Sequence, residues 1–249
     1  MNKMRAALKS LLISDVDLDT GLPPDSEDFW LPVQADIGPE GDAASETFAL
    51  TFGSSRRLTR QCEAGGVVWG RHLLLARRFD RALLHSYLED HCRTCTGSDW
   101  PQIVAKLRRL GEWEFEAYQP SAQSASIGGS VAKLLSLRTS NSELSAYSPQ
   151  HDTDFSFDLF ASIAGTDGKQ AILRLSVMSA TAFAAAMPDR AVCAAQGKVL
   201  MASYDGRALA QAVQRRVERL WGDTWEALLS KLGEYGELTD PGTTPEGRD

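Results

Sequence analysis

The residues with most chemistry to offer lie in one stretch, "HSYLEDHCRTC" (85–95). His85, His91, Cys92 and Cys95 have the donor types of a zinc site. Cys92 and Cys95 alone are spaced as a redox Cys-x-x-C pair. The chain supplies its own control, because a pattern recurs at an offset of 125. At that offset Cys92 and Cys95 become Val217 and Leu220, while His85 and His91 become Ala210 and Arg216. Leu84, Leu88, Cys92 and Cys95 follow the apolar spacing of Leu209, Val213, Val217 and Leu220. The cysteines stand where the sister helix needs core, and a free cysteine packs as a small hydrophobe. Core packing is the expectation here, with no metal and no cofactor.

The other candidates are thinner. His151 has no second histidine in its own half, and His72 opens a strand without a partner. The glycine signals "GPEG" (38–41) and "GTDG" (165–168) each join two strands and resemble hairpin turns. Neither fits a phosphate-binding loop or a dinucleotide fingerprint. A Gly-x-Ser-x-Gly nucleophile elbow is missing too. Carboxylates are so many that any pair can arise by chance. An enzyme is not expected.

Charge is more informative. The 249 residues carry a net charge of −7, which disfavours a nucleic-acid partner held by phosphate neutralisation. No apolar run approaches the ~20 residues of a membrane helix, so no membrane partner is expected. The N-terminus has a basic start, but Lys9 interrupts its apolar run and acids follow, unlike a signal peptide. Four cysteines in a chain of this length do not make a disulfide scaffold, and a reduced cytoplasmic protein is expected. Between Lys9 and Arg56 there is no Lys or Arg at all. That interval holds Asp15, Asp17, Asp19, Asp25, Glu27, Asp28, Asp36, Glu40, Asp42 and Glu46. A solvated loop would tolerate such a run, but unrelieved acids also steer a cationic protein onto a surface. A weaker version lies between Arg138 and Lys169, with Glu143, Asp152, Asp154, Asp158 and Asp167.

The elements that must position these residues come twice. "WPQIVAKLRRLGE" (100–112) returns as "WEALLSKLGEYGE" (225–237). Gly97 matches Gly222, Lys106 Lys231, and Phe79-Asp80 Tyr204-Asp205. "DFWLPVQADIG" (28–38) parallels "DFSFDLFASIA" (154–164) within a residue of the same register. Each copy reads as an opening strand (4–13; 131–138), an acidic loop, and two alternating strands (29–37 and 46–53; 155–163 and 171–178). A short helix, capped by Ser179 in the second copy, leads to another strand and a long helix capped by Asp80 or Asp205. A last helix starts at Trp100 or Trp225 and closes at Gly111 or Gly236. "EWEFE" (112–116) then alternates, with Trp113 and Phe115 on one face. The fold class is α+β: two tandem homologous domains, each a mainly antiparallel sheet with helices on one face. The first domain spans 1–118 and the second, diverged copy 131–239. "QPSAQSASIGGS" (119–130) forms a flexible linker, and 240–249 a tail.

Four stretches of the first copy resemble the immunity protein 8 family of bacterial polymorphic toxin systems, almost end to end. They are "DFWLPVQADIGPEG" (28–41), "ETFALTF" (46–52), "GRHLLLARRFD" (70–80) and "DWPQIVAKLRRLGEWEFEAY" (99–118). The second copy keeps the frame but ends "GEYGELTD" (233–240) and has Ala164 in place of Gly38. The resemblance implies a non-catalytic inhibitor made beside a toxin. It would bind the C-terminal domain of its cognate toxin in the bacterial cytoplasm, blocking the active site or substrate path. A basic, nuclease-like toxin domain would suit an acidic inhibitor. Its expected contacts are Asp15, Asp17, Asp19, Asp25, Glu27, Asp28, Asp36, Glu40 and Asp42, with Trp30 and Trp69 as aromatic anchors. Trp100, Leu107, Gly111, Trp113, Phe115, Trp225, Leu232 and Gly236 are expected to be frame, the Trp anchoring the last helix and the Gly ending it. The alternative is an adaptor or chaperone for a secreted effector.

Overall fold

The structure is a computed structural model in which residues 3–116 and 129–239 are described. Most of the expected linker, up to residue 128, and the expected tail from 240 lie outside the described residues. The first repeat runs β1 (Met4–Ile13), β2 (Trp30–Pro39), β3 (Glu46–Ser54), α1 (Ser55–Gly65), β4 (Val68–Trp69), β5 (Leu73–Ala76), α2 (Arg81–Thr94), β6 (Thr96–Gly97), α3 (Trp100–Leu107) and β7 (Glu112–Trp113). The second runs β8 (Ser130–Val131), β9 (Lys133–Arg138), β10 (Ser156–Ala164), β11 (Gln170–Ser179), α4 (Ala180–Ala186), β12 (Cys193–Ala194), β13 (Lys198–Met201), α5 (Gly206–Val217), β14 (Trp221–Gly222), α6 (Trp225–Leu232) and β15 (Glu237–Thr239). A 3-10 turn, Leu144–Ala146, interrupts the loop before β10.

Two compact units form. Among the described residues, one comprises those up to Leu58, 70–116 and Ala186–Gln196; the other comprises Thr59–Trp69, 129–185 and 197–239. The first unit holds a sheet ordered β12-β5-β3-β2-β1-β6, with β7 on β3. Alternation puts Leu31, Val33, Ala35 and Ile37 of β2 and Phe48, Leu50 and Phe52 of β3 on one buried face. Onto it pack Leu84, Leu88 and Cys92 of α2 and Ile103, Val104 and Leu107 of α3. Each Val, Leu, Ile or Phe side chain among them, fully buried, stabilises by about 1.5–3 kcal/mol, so this layer dominates the unit's cohesion.

The second unit repeats the layer. Its sheet is ordered β4-β13-β11-β10-β9, with β15 on β11, and β14 pairs separately with β8. Leu159, Ala161 and Ile163 face Leu209, Val213 and Val217 of α5 and Trp225, Leu228 and Leu232 of α6. Within each sheet most pairs are antiparallel, while β3–β5 and β11–β13 are parallel. The expected α+β class holds, with α2 and α3 on one face of the first sheet and α5 and α6 on one face of the second. So do the caps: Asp80 accepts from Leu83 N, and Asp205 from the amides of Arg207 and Ala208. Ser179 Oγ accepts from Ala182 N at 2.9 Å, and Ser54, its counterpart, does the same for Arg57 N at 3.0 Å.

The ends of the last helices differ from the sequence reading. α3 stops at Leu107 and α6 at Leu232, each followed by a turn, so neither Gly111 nor Gly236 terminates a helix. Both glycines answer to close packing instead. A Cβ on Gly111 would sit 3.1 Å from Ala49 O, and one on Gly236 would sit 2.2 Å from Arg174 O. The alternation expected over 112–116 shrinks to the two-residue β7, with Phe115 beyond it and 46% exposed. The repeated lysine acquires a role that spacing alone did not reveal. Lys106 Nζ donates to Thr96 O at 2.6 Å, and Lys231 Nζ to Trp221 O at 2.9 Å, tying the last helix back to a short strand in each repeat.

Candidate functional site

The acid-only interval maps to two ends of one sheet. Asp15, Asp17, Asp19, Asp25, Glu27 and Asp28 lie in the loop from Ser14 to Phe29, while Glu40 and Asp42 lie in the turn after β2. At about 3.3 Å per residue, β2 alone separates those ends by roughly 30 Å. Asp36 lies midway and is engaged on both sides, accepting from Ser10 Oγ at 2.5 Å and Thr47 Oγ1 at 2.9 Å. Basic residues from outside the interval reach several of these acids. Glu27 meets Arg78 at 3.4 Å, Asp28 meets Arg57 at 3.7 Å and Glu40 meets Arg5 at 3.9 Å. Lys9 caps the carbonyls of Pro39 and Asp42. Among the described residues, Asp15, Asp17, Asp19 and Asp25 form no ion pair.

Those four share an ordered loop. Asp17 Oδ1 accepts from Asp19 N (3.1 Å), Thr20 N (2.8 Å) and Thr20 Oγ1 (2.9 Å). The Thr20 amide above all, with the Thr20 hydroxyl, holds the Asp17 carboxyl below its ordinary range. Asp17 N donates to Leu22 O, and Gly21 N returns to Asp17 O with φ at 65°. Asp15 itself adopts φ of 61°, a left-handed conformation that Asp tolerates better than most residues. Asp25 Oδ1 accepts from Glu27 N, and Phe79 N donates to Ser26 O. Phe29 then wedges between Phe52 and Phe79, with centroids 5.0 and 5.6 Å away. At the tip Leu18, between Asp17 and Asp19, is 99% exposed. The side chain was not singled out by the sequence because an isolated leucine in a polar loop carries no pattern.

The two expected aromatic anchors are placed differently. Trp30 is half-buried, its ring over Gly53, where a Cβ would lie 2.4 Å from it. Trp69 is also half-buried and belongs to the second unit, edge-on to Tyr235 at 5.5 Å with the Arg216 guanidinium over its ring. Trp30 directly follows the Ser14–Phe29 loop, at the start of β2. Of the frame residues, Leu107 and Leu232 are fully buried, Trp225 is buried, and Trp100 packs against the core. Trp113 Nε1 donates to Glu46 Oε2 at 2.8 Å.

The cysteine cluster resolves as core. Cys92 and Cys95 are 1% and 3% exposed, and burial pushes the Cys92 thiol up to about 12. His85 faces solvent beside Glu89. A second polar cluster, specific to the first repeat, surrounds His72. Glu116 pairs with Arg71 at 2.5 Å and Arg108 at 3.4 Å. Burial pushes the Glu116 carboxyl up, but the two guanidiniums outweigh it and hold it below the usual value. Burial, and then Arg71, push His72 down to about 4; its Nε2 donates to Arg108 O at 2.8 Å.

Fold and loop together define a duplicated α+β protein whose first repeat presents an ordered acidic tip. The immunity protein 8 family model matches residues 6–118 and 132–238, and the chain belongs to that family as two tandem copies. It is thereby an immunity protein, directed against a toxin. No curated protein and no solved structure matches the chain. Among the described residues no helix is long and apolar enough to cross a membrane.

Proposed function

We propose that this immunity protein neutralises its cognate toxin domain by stoichiometric, non-catalytic binding, and that the Ser14–Phe29 loop of the first repeat makes the decisive contact. The observation that carries this reading is that Asp15, Asp17, Asp19 and Asp25, all without ion pairs among the described residues, share one hydrogen-bonded loop with an exposed Leu18. Four unneutralised carboxylates on an ordered loop attract a basic surface over a Debye length of about 8–10 Å. The internal hydrogen bonds of the loop lower the ordering cost of docking. Leu18 supplies a fully exposed apolar side chain between Asp17 and Asp19, a point at which a single side chain can contribute strongly to an interface. The partner that fits is a basic toxin domain, met in the bacterial cytoplasm before it can act.

The test is titration of the toxin domain encoded beside this chain with the full-length protein, at rising salt. Support is one-to-one binding that abolishes toxicity, with association slowing much more steeply than dissociation quickens. Protection at substoichiometric protein would reject non-catalytic inhibition. An association rate indifferent to salt would remove the acidic loop from the encounter. Raised toxin yield without rescue of growth would point to an adaptor or chaperone instead.

A further inference from the structure

Each of the two large sheets contains one strand from the other repeat. β4 of the first repeat pairs antiparallel with β13, Val68 opposite Leu200 and Trp69 opposite Val199. β12 of the second repeat pairs antiparallel with β5, Cys193 opposite Leu75 and Ala194 opposite Leu74. Moving the second pairs by the repeat offset of 125 gives the first: Cys193 is the counterpart of Val68, and Leu75 of Leu200. The same two positions therefore meet in both sheets, each time from different repeats. Reciprocity of this kind is what an exchange of identical elements between two copies produces.

The exchanged segments also fill cores. Thr59–Trp69 falls in the second compact unit, where Val67 and Trp69 pack against the second-repeat core. Ala186–Gln196 falls in the first, where Val192 is part of the first-repeat core. Ala195 N donates to Leu73 O at 2.9 Å, and a Cβ on Gly70 would lie 1.8 Å from Ala195 O, so glycine is required there. Arg77 donates to Met187 O at 2.8 Å and meets Asp189 at 3.3 Å. Cys62, Met187 and Ala195 are each under 5% exposed.

We infer that the two repeats are one segment-exchanged pair rather than two self-sufficient domains. The strand-bearing segment of each repeat is an interaction surface, and its partner is the other repeat of the same chain. The covalent link between repeats then serves to keep the partner at high effective concentration, and is dispensable once the pair has formed. This goes beyond toxin neutralisation and does not depend on it.

The experiment uses the full chain with a protease site inserted within residues 119–128, cut after folding. Light scattering on a sizing column should give one particle at the uncut mass of 27.2 kDa. A second variant adds Leu75→Cys opposite the native Cys193, and a third uses Val68→Cys with Leu200→Cys. After mild oxidation and cutting, at least one of them should run as a single full-length band without reductant. Fragments that separate as folded half-size particles would overturn the inference. Co-elution with no cross-link in either variant would mean ordinary docking and overturn the exchange. Cross-links joining two chains into a particle of twice the mass would place the exchange between molecules and overturn its intrachain form.

Discussion

The loop before β2 and its counterpart before β10 start from the same scaffold and spend their residues differently. In the second repeat, Leu144 is buried in a 3-10 turn, and Tyr147 packs tilted against Phe157 and edge-on to Tyr204, with centroids 4.4 and 5.7 Å away. Tyr204 closes the loop with its hydroxyl on Tyr147 O and its amide on Asp152 O. Glu143 is answered by Arg138 at 3.2 Å. In the first repeat, the loop satisfies its own backbone through Asp17 and Asp25 and leaves Leu18 and Leu22 to solvent. Ordering is common to both loops; the exposed leucines are not. Duplication preserves what the fold needs, the caps, the lysine ties and the two close-packed glycines, and frees the surface of one copy to diverge.

That contrast can be broken most sharply at the charges. Replacing Asp15, Asp17, Asp19 and Asp25 with Asn should slow association with a basic toxin domain by about 10- to 100-fold at low salt. Asp152→Asn with Asp154→Asn should change it less than about twofold, and stopped-flow mixing compares the two. Equal effects would erase the distinction between loops. Next in size come the paired glycines. Gly236→Ala should cost about 2–3 kcal/mol in urea unfolding and Gly111→Ala about 1 kcal/mol, because only the former drives a Cβ hard into a backbone carbonyl.

The Glu116 cluster, present in one repeat only, should give about 1–2 kcal/mol at pH 7 on Glu116→Gln, discounting a fully buried pair for partial exposure. Since the folded carboxyl titrates below the ordinary carboxylate range, its contribution is complete above that range and is lost as pH falls through the depressed value. The gap between wild type and Glu116→Gln should therefore narrow only in acid, as unfolding curves at pH 7 and pH 3 would reveal. Smallest is Cys92→Val, which installs the second-repeat residue and should shift stability by less than about 1 kcal/mol with toxin protection intact. Loss of protection in a normally folded variant would restore chemistry to that cysteine.

Much of the fold was legible because alternation and capping are local. Residues 31, 33, 35 and 37 had to share a face whatever packed on it, and the Asp80 and Asp205 caps depend only on the next few amides. The duplication made Cys92 readable as core, since Val217 does the same work without a thiol. The candidate surface was less legible. Ten acids in a row of sequence look unrelieved, yet Arg5, Arg57 and Arg78 return to three of them through the fold. Trp30 and Trp69 look like anchors by type, and the structure leaves each half-buried, Trp30 over Gly53 and Trp69 edge-on to Tyr235.

The sequence by itself determined the repeat, the α+β layering and the family, all consequences of periodicity and of motifs read along the chain. Only the tertiary structure decided which β4-like strand completes which sheet. Both repeats carry the same pairing positions, Val68 and Cys193 on one side and Leu75 and Leu200 on the other, so the same register is open to pairing within a repeat or across repeats. The choice between them rests on where the chain leaves one core and enters the next, a long-range property that no local pattern encodes.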